Sequence, residues 1–292
     1  MKRILLFFLL TSFLINAQIP YGSNPKVGKR IQVGDISMYY EIYGKGEPLI
    51  LLHGGFGSSE MMGGMIAAFS KKYQVIAVDS RSQGRTTDSD EKELSYAQMA
   101  LDVNGFMDLL HLKKAKFVGW SDGGDIALEL ALIHPEKITK AVIMGANFLG
   151  ESKGVFLGID TTWKMDAKDP LFAKTKPELV KYFSTYERLA PDKKKIESSR
   201  KKVSENAFKN PNITLAQLKS IQVPFLVMAG DHDMFTLEHT IAMYQNLPQA
   251  SLYIVPDATH ISPFEEPELV HAEILRYLGK PYRKLDAFYF WK

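Results

Sequence analysis

Short apolar runs that break off at small or polar residues constrain this chain more than any other feature. Pro48–His53 reads PLILLH, Gln74–Asp79 reads QVIAVD, Lys140–Gly145 reads KAVIMG and Pro224–Gly230 reads PFLVMAG. A strand with one wet face alternates apolar and polar residues, whereas a run without alternation suits a strand buried on both faces. Lys116–Trp120 and Ser251–Val255 add two shorter strands, and Ile36–Tyr43 reads as an alternating one. Tyr96–Leu110, Asp122–His134 and Glu266–Leu278 read as helices; the second stops before Pro135 and the third at Gly279. Strands taking turns with helices predict an α/β fold, a parallel sheet covered on both faces. There is no internal repeat.

The two ends and the middle depart from that rhythm. Lys2 and Arg3 precede an apolar run from Ile4 to Ile15, followed by Asn16, Ala17 and Gln18. This is the layout of a secretory signal over residues 1–17, too short for a bilayer, which takes about 20 apolar residues. It predicts an exported protein, periplasmic or secreted, with no membrane span. The 292 residues include no cysteine, which excludes disulfides, thiolate metal sites and a cysteine nucleophile. With 36 basic and 33 acidic residues the chain is close to neutral, so no nucleic-acid partner is expected. From about 147 to 219 no strand-like run appears, and the stretch is too long for a bare loop. It reads as a helical insertion over the C-terminal edge of the sheet, dividing the core into 18–146 and 220–292. Lys193, Lys194, Lys195, Arg200, Lys201 and Lys202 read as a solvated helix face, and the aromatic tail Phe288–Trp291 as packed on the core.

Three loops carry chemistry. Gly119-Trp120-Ser121-Asp122-Gly123 lies between a strand and a helix, where the pattern G-x-S-x-G forms a strained elbow that lifts a serine hydroxyl above the sheet. The helix behind it offers N–H groups, among them that of Asp122, and a positive dipole end to an oxyanion. His53-Gly54-Gly55-Phe56-Gly57 ends another strand, and there the Gly55 N–H is the second oxyanion donor, with Phe56 as the near alternative. His53 reads as an anchor of that loop. A serine nucleophile needs a base, and the base needs an orienting carboxylate, in the chain order serine, acid, histidine. His53 and His111 precede Ser121, His134 ends the elbow helix, His239 and His271 fall in helix-like segments, and His232 lies in the acid loop. His260, in a loop after the last strand, remains as the base. Of the two acids in Gly230-Asp231-His232-Asp233, Asp233 is favoured because it lies farther past the strand end, leaving Asp231 to bond local backbone N–H groups.

From about Ile31 to Lys280 the sequence resembles the α/β-hydrolase superfamily. The likeness rests on LLHGGFGSS, the loop Asp79-Ser80-Arg81-Ser82-Gln83-Gly84-Arg85-Thr86, GWSDGG, AGDHDMF and THISPFEEPE. It implies a mostly parallel eight-stranded sheet with helices on both faces, a helical cap at 147–219 and the triad Ser121, Asp233 and His260. A serine at the elbow sets the chain apart from relatives with an aspartate nucleophile. Ser82 departs from the pattern, since relatives often carry glycine there. GWSDGG followed by Val142–Asn147 also looks like the valacyclovir-hydrolase type of biphenyl-hydrolase-like protein, a likeness that points to Asp122 as a partner for the ammonium of α-amino-acid esters. The expected activity is hydrolysis of a small-molecule carboxylic ester through an acyl-enzyme, with no metal or cofactor. Phe56, Trp120, Asp122 and Phe148 are the expected substrate-binding residues, with Trp163 among further cap aromatics. An acyltransferase, a C–C bond hydrolase, an amidase or a non-catalytic binding protein would share these motifs, and the oligomeric state is not encoded.

Overall fold

A computed structural model describes residues 19–88, 93–150, 153–155, 184–285 and 288. The expected leader at 1–17, Trp163 and much of the expected insertion lie outside those residues. Eight strands form one sheet: β1 Lys29–Val33, β2 Ile36–Tyr43, β3 Pro48–Leu52, β4 Gln74–Val78, β5 Ala115–Trp120, β6 Ile138–Met144, β7 Phe225–His232 and β8 Ala250–Thr259. Their spatial order is β1-β2-β4-β3-β5-β6-β7-β8. β1 and β2 are antiparallel to their neighbours, and β4 through β8 pair in parallel. The helices are α1 Gly63–Phe69, α2 Tyr96–Leu109, α3 Asp122–Ile133, α4 Ile196–Lys209, α5 Leu215–Ser220, α6 Leu237–Asn246, α7 Ser262–Glu265 and α8 Pro267–Leu278.

The uninterrupted apolar runs have a direct cause. Successive strand side chains point to opposite faces. In β3, Ile50 and Leu52 pack with Val103 and Phe106 of α2 and Leu128 of α3. Leu49 and Leu51 pack on the other face with Ile66 and Phe69 of α1 and Ile274 of α8. In β4 the same division sends Ile76 and Val78 one way, Val75 and Ala77 the other. Both faces of the central strands are therefore dry, as the lack of alternation requires.

Parallel strands place all their C-terminal ends on one edge, so the loops after β3, β4, β5, β6, β7 and β8 meet there. Within the expected insertion, residues 184–189 are helical and touch this edge. The Tyr186 hydroxyl donates to Ser82 O at 3.1 Å, and its ring meets Phe56 edge-on at 5.5 Å. Two smaller expectations are corrected. Lys202 is not on a solvated face, because its Nζ lies 2.7 Å from the buried Asp88 carboxylate. Phe288 is 65% exposed rather than packed on the core. Among the described residues, no helix is long and apolar enough to cross a membrane.

Candidate active site

The elbow between β5 and α3 is built by two glycines that tolerate no side chain. A Cβ on Gly119 would lie 2.2 Å from Gly123 O, and one on Gly123 would lie 2.3 Å from Leu52 O. That close approach turns the chain so sharply that Ser121 sits at φ 54° and ψ −124°, a region costly for any residue with a Cβ. The strain is held in place from both sides. Ser121 N donates to Met144 O of β6 at 2.8 Å, and Ser121 O accepts from Gly124 N at 2.7 Å.

The loop after β3 lies against this elbow. A Cβ on Gly54 would come within 3.0 Å of the Ser121 Cβ, and one on Gly55 within 2.9 Å of Asp122 Oδ2. Asp122 is buried at 7% exposure, so its carboxylate packs beside Gly55 rather than pointing to solvent. His53 anchors the loop. Ser80 N donates to its Nε2 at 3.0 Å, which leaves Nδ1–H to donate to Gly54 O at 2.7 Å. Burial holds its pKa below that of an ordinary histidine, so the ring is neutral and both bonds persist. Phe56 has φ 60° and its ring turns toward Tyr186.

Two loops from distant parts of the chain complete the arrangement. His260 Nε2 lies 3.0 Å from Ser121 Oγ, and His260 Nδ1 lies 2.9 Å from Asp233 Oδ1. Asp233 is nearly sealed from solvent and also accepts from Phe235 N at 3.2 Å. The other acid of its turn does something else. Both oxygens of Asp231 accept backbone bonds, from Asp257 N and Ala258 N at 3.1 Å each, which tie down the loop that carries His260. Those bonds, the Asp257 one foremost, hold the Asp231 carboxyl below its ordinary pKa. Asp231, His232 and Asp257 bring ligand-type atoms within 4.8 Å of one another, but both oxygens of Asp231 already accept backbone bonds.

Trp120 is buried, and its Nε1 donates to His260 O at 2.9 Å while its ring lies 5.6 Å from the imidazole. It thus braces the histidine as well as filling the elbow. Phe148 stacks on His239 at 4.2 Å, and Phe235 stands between His239 and His260 at 6.4 Å and 5.7 Å. Two residues escaped the sequence reading. One is Phe235, which packs on His260. The other is Gly145, at φ 54°, where a Cβ would lie 2.7 Å from His260 Nδ1 and 3.2 Å from Asp233 Oδ2. A glycine ending the β6 run was visible in the sequence, but the reason for it is spatial.

Residues 47–177 match the alpha/beta hydrolase fold family. The mouse serine hydrolase BPHL is 27% identical over 79% of this chain and 79% of its own length. The carboxylesterase YbfK of Bacillus subtilis is 28% identical, again over 79% of each chain. Among solved structures, a meta-cleavage product hydrolase from Pseudomonas fluorescens superposes with a TM-score of 0.73, covering 88% of this chain and 99% of that one at 23% identity.

Proposed function

From its α/β-hydrolase fold and its match to that family over residues 47–177, we propose that this chain hydrolyses a carboxylic ester of a small molecule through an acyl-enzyme on Ser121. The observation that carries the reading is the unbroken contact from Ser121 Oγ through the His260 ring to Asp233, set on a strained elbow. His260 Nδ1–H donates to Asp233, which fixes the tautomer whose Nε2 accepts. Ser121 Oγ attacks the ester carbonyl as its proton passes to His260 Nε2. The Gly55 and Asp122 N–H groups donate to the oxyanion; losing one such donor typically costs about 10²–10³ in rate. His260 returns the proton to the alkoxide, the ester C–O bond breaks and the alcohol leaves. Water then attacks the acyl-enzyme, again giving its proton to His260, and the acid departs as Ser121 regains its hydroxyl.

Phe56 and Trp120 border the reacting centre, Asp122 sits where a cationic acyl group would be welcome, and Phe148 stands farther back behind His239 and Phe235. The leader over residues 1–17 carries the further proposal that the enzyme works outside the cytoplasm. The test is a panel of p-nitrophenyl and amino-acid esters, with matched anilides and with added alcohols or thiols as acyl acceptors. Ester turnover should exceed anilide turnover and water should be the preferred acceptor. Ser121→Ala should fold, refuse a fluorophosphonate label and lose about 10⁴-fold or more in kcat. Full activity in that variant would sink the assignment.

A further inference from the structure

A catalytic base is only as well placed as the main chain beneath it. The approach to His260 is strained, because Asp257, three residues earlier, has φ 53°. A residue with a Cβ keeps such left-handed backbone where its surroundings over-determine it. Carboxylates supply that constraint here. Three successive N–H groups, those of Asp257, Ala258 and Thr259, each donate to a carboxylate oxygen. The first two go to Asp231, and the third goes to Glu265 Oε2 at 2.8 Å.

The Glu265 bond belongs to a closed set around the histidine. The Thr259 hydroxyl donates to the same carboxylate, 3.1 Å from Oε1 and 3.0 Å from Oε2, and Thr259 Oγ1 accepts from Ile261 N at 3.3 Å. Ile261 O accepts in turn from Phe264 N at 2.8 Å and from Glu265 N at 3.1 Å. The residues before and after His260 are thus both tied, and both ties lead to Glu265. α7, which ends at Glu265, is itself registered against the elbow of the nucleophile. Phe264 meets Trp120 edge-on at 4.9 Å, and Trp120 Nε1 holds His260 O. We propose that Glu265 is a positioning residue for the base: through Thr259 it fixes the peptide that carries the His260 ring, and with it the 3.0 Å between Nε2 and Ser121 Oγ. This rests on the ester reading of Ser121 and extends the working site beyond the triad. Thr259 is exposed and Glu265 only half-buried, so their bonds add little to stability. A displacement of the base by about 1 Å, in contrast, can cost about 10²-fold in rate.

The experiment compares p-nitrophenyl ester kinetics and thermal melts of wild type, Glu265→Ala and Glu265→Gln. Glu265→Ala should lower kcat about tenfold to a hundredfold, leave KM within about twofold and shift Tm by a few degrees at most. Fluorophosphonate labelling of Ser121, which uses the same base, should slow by a similar factor. Glu265→Gln keeps an oxygen for Thr259 N and should recover most of kcat. The proton that His260 Nδ1 donates to Asp233 should give a far-downfield NMR resonance in wild type and Glu265→Gln, broadened or lost in Glu265→Ala. Wild-type kcat in Glu265→Ala overturns the proposal, as does a fall in Tm with kcat and KM of the folded protein unchanged, the signature of a merely structural carboxylate. Equal losses of kcat in both variants overturn it too, because the bond to Thr259 N survives in Glu265→Gln. The two readings fail separately. Labelling of Ser121 with wild-type kinetics in Glu265→Ala removes Glu265 and leaves the hydrolase. Wild-type protein that neither labels nor turns over the ester removes both.

Discussion

At Gly145 a hydrogen atom does the work that a methyl group could not. Its Cα faces the His260–Asp233 contact so closely that a Cβ would lie 2.7 Å from the imidazole Nδ1. The backbone there is also left-handed, at φ 54°. Gly145→Ala should therefore lose twice: about 1–2 kcal/mol of stability from the left-handed alanine, and about a hundredfold or more in kcat from a displaced histidine. KM should move much less than kcat, and ester kinetics beside a denaturant melt would check both; wild-type kcat would show that the ring contact is not needed in that geometry. Ser121, His260 and Asp233 were legible from the sequence because each follows a recognisable strand and their chain order restricts the choice. Gly145 was not, because its demand comes from residues far away in sequence. Ser82 belongs to the same lesson. At φ 64° it occupies backbone that glycine fits best, and the structure shows the serine hydroxyl bonded to Asp88 there.

Among the elements, the buried strands were the easiest to read and the sheet edge the hardest. β3 and β4 announce themselves by apolar runs because helices cover both their faces. β1 escapes notice because four of its five residues are exposed or half-exposed, leaving only Val33 buried. α1 escapes because it opens on Gly63-Gly64, poor helix formers that tertiary packing of Met65, Ile66 and Phe69 overrides. Between these elements runs an ion ladder that no pattern in the sequence marks. The Asp79 carboxylate, fully buried after β4, accepts from Ser59 N and Oγ at 2.7 Å each and from Arg85 N at 2.8 Å. Arg85 continues to Glu60, and Glu60 to Arg188 of the 184–189 helix at 2.6 Å. The ladder joins the loop after β3, the loop after β4 and the overlying helix. Asp79→Asn would turn an NH2 group toward donors that now meet a carboxylate oxygen. The expected cost is about 3–5 kcal/mol, read as a lower urea midpoint, with ester turnover falling as the Gly54–Gly57 loop loses its footing. A midpoint within experimental error of wild type would mean that the ladder carries no net stability.

For the molecule as a whole, three histidines of the interior make the fold sensitive to acid. Burial lowers the pKa of His239 to about 4, and it lowers those of His53 and His271 as well. His239 stacks on Phe148, and its Nε2 accepts from Phe148 N at 3.2 Å, a bond that only the neutral ring can make. Between pH 6.5 and about 4 the unfolded chain binds a proton at this position and the folded one does not. The unfolded state gains by that protonation, so stability is full above pH 6.5 and falls as the pH drops through the window. A shift from the ordinary 6.5 to about 4 is worth roughly 3 kcal/mol for His239, and the other two histidines act in the same direction. Wild-type protein should thus lose melting temperature steeply from pH 6.5 to 4. His239→Gln removes the titrating group while keeping an acceptor for Phe148 N, so its profile should be shallower by about that amount, though not flat. Parallel profiles for the two proteins would assign the acid sensitivity to other groups. The same residues link this global property to the site, because Phe235 lies between His239 and His260. In the folded enzyme that connection stays silent above about pH 4, because the buried His239 ring remains neutral there and keeps its bond to Phe148 N.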